Sequence, residues 1–144
     1  PGPSPLRVCG LSMGGFAALR FAGKYPARIA AASAHSALTR IEQIDGLIVE
    51  SRAGWSDAPG DRCVLSALSG APGTLPPFRF DCGGGDPYLD ANRELHDALS
   101  AAGIAHGYAE RPGGHEWNYW RRELAQSLRF FATILANPEG RPAT

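Results

Sequence analysis

No run of apolar residues in this sequence approaches the roughly 20 needed to cross a bilayer, so no part of it reads as a transmembrane segment. An excess of charge of either sign is missing too. Fourteen lysines and arginines face fourteen aspartates and glutamates, with no block of like charge, which removes the electrostatic footprint of a nucleic-acid binder or a membrane-surface protein. Cysteine is scarce. Cys9, Cys63 and Cys82 lack the spacing of a metal site, and no metal or organic cofactor is implied. All three read as buried thiols. Cys9 and Cys82 fall in strand-like runs, and if a third strand separates them they stand about two strand spacings of roughly 4.8 Å apart, out of disulfide reach. The chain opens on Pro1, Gly2, Pro3, Ser4 and Pro5 with no initiator methionine, so the true N-terminus and any signal peptide on it are expected to lie outside this sequence and the compartment is left open.

What is present suits one domain with a real core: 144 residues, 44% of them hydrophobic and 19% charged. Residues 6–9 form a short apolar run that stops at Gly10, and residues 12–24 read as a helix of small side chains ended by Tyr25 and Pro26. Further strand-like runs cover residues 29–34, 78–82 and 104–110. A clear helix covers residues 91–102, with Asp90 as its cap and Gly103 at its exit. The last helix begins near Glu116 and ends at Asn137 and Pro138. Its Trp117, Trp120, Leu124, Leu128, Phe131 and Leu135 recur at helical spacing and read as core. Strand and helix alternate, which predicts a parallel sheet with helices on its faces.

Between the second and third strands, residues 36–77 carry many glycines and prolines. They predict a loop-rich excursion with short helices, one over residues 61–68 capped by Asp61. Because it leaves a strand at its carboxyl end, its Trp55 is expected to cap the site described next.

Gly10-Leu11-Ser12-Met13-Gly14 matches G-x-S-x-G and stands between a strand and a helix. That pattern puts the serine on a strained turn with its hydroxyl free above the sheet, and glycines on both sides are expected to avoid clashes there. The Met13 N–H, first in the helix, is then the candidate oxyanion donor, helped by the helix dipole.

A serine hydroxyl needs a base to take its proton. Of the four histidines, His96 lies inside a helix and His106 inside the fourth strand, and His35 precedes any plausible acid, though it can line a pocket. His115 follows the last strand in the turn made by Gly113 and Gly114, and it is the candidate base. The acid is expected from the loop after the third strand, where catalytic groups of open α/β sheets gather, which selects Asp86 ahead of Asp81 and Asp90. The candidate substrate-contacting residues are His35, Trp55 and Trp117.

The run Gly10-Leu11-Ser12-Met13-Gly14-Gly15, the run Cys82-Gly83-Gly84-Gly85-Asp86 with Asn92-Arg93-Glu94-Leu95-His96 behind it, and Gly113-Gly114-His115-Glu116-Trp117 with Tyr119-Trp120 resemble the family called Putative esterase. That family groups esterase D-like carboxylesterases, S-formylglutathione hydrolases, bacterial mycolyltransferases and several carbohydrate esterases. The similarity runs from about Leu6 to Phe131. It implies an α/β-hydrolase fold, a triad of Ser12, Asp86 and His115, and a small-molecule or carbohydrate-linked ester as substrate. A complete member carries strands and helices ahead of the elbow, including the loop with the second oxyanion N–H. The resemblance therefore describes the C-terminal half of such a fold, with an intact triad and weak turnover by itself. An acyltransferase on the same triad and a non-catalytic hydrolase module are the rival readings, and no oligomeric state is read from the sequence.

Overall fold

The computed structural model describes residues 6–45, 47–70 and 72–137; the opening run from Pro1 to Pro5 and the helix stop expected at Pro138 lie outside them. Strand β1 (Leu6–Leu11) leads through one turn into helix α1 (Met13–Lys24), and the chain returns as β2 (Ile29–His35). Strand β3 (Phe78–Gly83), helix α4 (Leu89–Ala101), strand β4 (Gly107–Arg111) and helix α5 (Trp117–Ala136) complete the frame. The four strands pair in the order β1-β2-β3-β4, all parallel. The fourth strand begins at Gly107 instead of the expected Ile104, leaving His106 just outside it.

Alternate residues of a strand point to opposite faces, and here the two faces differ in chemistry. Ala32, Ala34, Phe78 and Phe80 belong to the apolar core with Phe16 and Leu19 of α1 and Leu95 and Leu99 of α4. The opposite face carries a polar row across three strands: Cys9 pairs with Ser33 and Ser33 with Arg79, while Leu11 pairs with His35 and His35 with Asp81. Helix α5 covers that polar face, burying Tyr119, Trp120, Glu123 and Ser127.

This docking corrects the reading of α5. Trp117, Leu124, Leu128 and Leu135 stand exposed, because the side chains that meet the sheet's polar row lie about a quarter turn around the helix from that apolar stripe. A polar strand face selects the helix face with hydrogen-bonding handles.

The 36–77 excursion is organised as expected, with a short 3₁₀ turn (Ile41–Ile44), helices α2 (Pro59–Arg62) and α3 (Val64–Ser69), and a second 3₁₀ turn (Pro72–Thr74). Much of it is core. Leu38, Ile41, Ile44, Val64 and Leu68 are buried against the apolar face. Asp61 does not cap a helix; it lies inside α2 and binds Arg20, Lys24 and Ser56, tying the excursion to α1. Asp90 likewise sits in the first turn of α4, whose cap position is Tyr88, and its exposed carboxylate approaches Arg93.

The three cysteines are free, with β2 separating Cys9 from Cys82. Only Cys82 is buried. Cys63 is half-buried and Cys9 is exposed, because β1 is an outer strand among the described residues. No helix of the described residues is long and apolar enough to cross a membrane.

Candidate active site

Ser12 joins β1 to α1 with φ 53° and ψ −121°, a left-handed backbone that a non-glycine residue adopts only under constraint. The constraint is visible. Its N–H donates to the His35 carbonyl at 2.9 Å, and its own carbonyl accepts from Phe16 and Leu38. Gly10 makes the turn possible, since a Cβ there would overlap the Gly14 carbonyl. Gly14 itself is not required on those grounds: a Cβ at that position meets nothing within 4 Å among the described residues. The expectation of steric need on both sides of the serine is thus half right.

The loop after β3 and the loop after β4 cross at close range. Gly84 donates to the Arg111 carbonyl at 2.8 Å and Gly85 to the Gly113 carbonyl at 2.9 Å. Gly113, at φ 137°, lies against Tyr119 so closely that a Cβ would come within 2.7 Å of its ring. This crossing carries Asp86 and His115 to the same end of the sheet as Ser12.

There they form a hydrogen-bonded line. His115 Nε2 is 2.9 Å from Ser12 Oγ, and His115 Nδ1 is 2.9 Å from Asp86 Oδ2. The Asp86 carboxylate is fully buried, and its other oxygen accepts from the Tyr88 N–H at 2.8 Å. Because a carboxylate can only accept, His115 carries its proton on Nδ1 and presents the Nε2 lone pair to the serine. Tyr88 and Trp120 hold the imidazole edge-on, with ring centroids 5.1 and 4.9 Å away. Sequence reading missed both. The only signal for Tyr88 was its position two residues after an aspartate, the spacing of an Asx turn.

Two pockets open on either side of the Leu11-Ser12-Met13 turn. Met13, Phe16, Ile41 and Trp55 line one, of 360 Å³, which places Trp55 in one wall with the first residue of α1. Leu11, His35, Trp117 and Trp120 line the other, also of 360 Å³. His35 reaches that pocket from a buried position, hydrogen-bonded on both nitrogens to Asp81 and Ser127. The Met13 N–H opens α1 and is among the first-turn amides that have no intrahelical acceptor. His96 and His106 pair with each other at 2.8 Å, packed on Tyr108 and Phe80. Among the described residues no group of three or more His, Cys, Asp or Glu side chains could hold a metal ion.

A parallel sheet flanked by helices, with a serine on a strained strand-to-helix turn, defines an α/β-hydrolase fold, and solved structures agree. An S-formylglutathione hydrolase from Staphylococcus aureus superposes with a TM-score of 0.71 at 22% identity over 86% of this chain and 49% of its own. A ferulic acid esterase gives 0.72 at 29% identity over 89% and 50%. The chain belongs to the family described as Putative esterase, which it matches over residues 3–131. It is also 29% identical to an acetyl esterase of Caldicellulosiruptor saccharolyticus over 88% of this chain and 54% of that protein. The chain spans about half the length of that relative.

Proposed function

We propose that this chain carries the reacting groups of a serine carboxylesterase, with Ser12 as nucleophile, His115 as general base and acid, and Asp86 as the group that orients His115. The observation that carries this reading is the unbroken line from Ser12 Oγ through His115 to Asp86, with both contacts at 2.9 Å. His115 Nε2 takes the serine proton as Oγ attacks an ester carbonyl, and the imidazolium so formed is stabilised by the buried Asp86 carboxylate. The same proton then goes to the departing alcohol, leaving an acyl group on Ser12. Water, deprotonated by His115, releases the acid. The Met13 N–H, at the positive end of α1, is one donor to the oxyanion.

The substrates proposed are small esters, a reading supported by the likeness to an acetyl esterase and a ferulic acid esterase, and carbohydrate-linked esters are proposed with them. The pocket at Met13 and Trp55 and the pocket at Leu11 and Trp117 are the proposed seats of the acyl and alcohol parts. The test is covalent: a fluorophosphonate should label Ser12 and leave Ser12→Ala untouched. Labelling elsewhere, or none, sinks the proposal. Product analysis with an added alcohol separates hydrolysis from acyl transfer, because an acceptor that captures the acyl group gives a new ester.

A further inference from the structure

Asn92 lies near the start of α4 and is fully buried, where a polar side chain persists only with partners. Its amide nitrogen reaches two loops at once. Nδ2 donates to the Ala37 carbonyl and to the Tyr88 carbonyl, each at 2.9 Å. Oδ1 is buried and meets no donor among the described residues. Turning the amide over would set that oxygen against two carbonyl oxygens, so the two bonds of Nδ2 decide the orientation and leave the orphan. Stability alone argues weakly for asparagine here, because a buried orphan costs about as much as good hydrogen bonds return.

One of the two loops holds the nucleophile. The Ala37 carbonyl and the Leu38 N–H belong to one peptide unit, and that N–H donates to the Ser12 carbonyl at 3.3 Å. This unit is therefore gripped by Ser12 on one edge and by Asn92 on the other. Two residues earlier, the His35 carbonyl accepts the Ser12 N–H.

The other loop holds the acid. The Tyr88 carbonyl takes the Asn92 backbone N–H at 3.0 Å as well as Nδ2, so the first bonds of α4 and this side chain share one anchor. The Tyr88 N–H donates to Asp86 Oδ1 at 2.8 Å, and its ring stands edge-on to His115. His115 is a rigid ring that meets Ser12 Oγ at one end and Asp86 Oδ2 at the other, both at 2.9 Å. Drift of either loop must lengthen one of those contacts.

We propose that Asn92 is a positioning residue for ester cleavage: by holding the Ala37–Leu38 peptide and the Tyr88 carbonyl on one nitrogen, it sets the distance between Ser12 and Asp86 that His115 has to span. The inference rests on the reading of Ser12, His115 and Asp86 as the reacting line. A residue that only steadied the start of α4 would need the Tyr88 bond and have no use for the Ala37 bond.

The experiment is saturable fluorophosphonate labelling of Ser12, followed by peptide mass and expressed per folded molecule. Asn92→Leu, close in size and without either donor, should lower the maximal labelling rate about 10- to 100-fold and move the half-saturating concentration less than about twofold. Asn92→Ser keeps a hydroxyl that can bond back to the Tyr88 carbonyl and is too short for Ala37, so it should lose about as much. Leu99→Val, a core change on the same helix, should label at the native rate. A native rate in folded Asn92→Leu overturns the proposal while the triad reading stands. A native rate in Asn92→Ser reduces Asn92 to a helix-start residue and overturns it too; this variant decides alone should Asn92→Leu fail to fold. Failure of both variants to fold would make Asn92 a residue that the fold requires and overturn the positioning role. Absence of Ser12 labelling in the native chain sinks the triad reading first and the role of Asn92 with it.

Discussion

The amide of Ser12 is bonded to the carbonyl of His35, at 2.9 Å, so the strained turn hangs on the end of the strand that carries the buried histidine. Two Ser-His-Asp lines therefore share one piece of backbone. One runs outward from Ser12 through His115 to Asp86, and the other runs under α5 from Ser127 through His35 to Asp81. Only the first stands at the strained turn, with an amide-rich helix start behind it.

The outer line should behave as a unit. Asp86→Asn keeps the Tyr88 contact and the shape of the site but favours the wrong tautomer of His115, so ester turnover and fluorophosphonate labelling should each fall by about 10⁴-fold. The measurement is the labelling rate of the two proteins at matched folded fraction. A loss under tenfold would show that Asp86 does not orient the base.

The two glycines around Ser12 should separate in a stability test. Gly10→Ala pushes a methyl into the Gly14 carbonyl, backbone that has no room to move, and should cost about 1–3 kcal/mol or prevent folding. Gly14→Ala meets none of the described residues and sits in the first turn of α1, where losing a glycine should gain about 0.5–1 kcal/mol. Urea midpoints at fixed pH read both.

The outer site was legible because its parts announce themselves locally. A strand, G-x-S-x-G and a helix set Ser12, and glycine pairs after strands set the loops of Asp86 and His115. The inner line was not. Cys9, Ser33, His35, Arg79, Asp81 and Ser127 come together only through strand register and the rotation of α5. Helical periodicity marked the apolar stripe of α5 and could not reveal that the sheet face awaiting it was polar. Asp61 and Asp90 were misread for a simpler reason: both fall a residue or more inside their helices, and boundaries carry the weakest local signal.

The inner line should leave a mark on stability against pH. His35 is raised to about 9 from an ordinary value near 6.5, so the folded state binds this proton more tightly than the unfolded chain. Its contribution is complete below about pH 6.5 and is lost as pH rises through about 9, with an upper bound of about 3 kcal/mol. The neighbours that set it are Asp81 and Arg79 on β3, Cys9 on β1, and Tyr119 and Ser127 on α5. Denaturant midpoints of the native chain should fall across this window. In His35→Gln the fall should flatten, and an equal slope in the two proteins would assign the loss to other groups.

The exposed stripe of α5 should govern how this chain behaves at high concentration. Leu124 and Leu128 are 46% and 61% exposed, on the same side of the helix as Trp117, and the outer strand β1 leaves Leu6 exposed as well. Apolar surface next to a strand that has one neighbour among the described residues invites association between copies of this chain. Both leucines lie outside the buried set of Tyr119, Trp120, Glu123 and Ser127, so replacing them with lysine removes apolar surface without opening the core. Leu124→Lys with Leu128→Lys should lower light scattering at high concentration and shift stability by less than about 1 kcal/mol. A large loss of stability would mean that the stripe packs against something in the folded chain, and the docking of α5 described above would need revision.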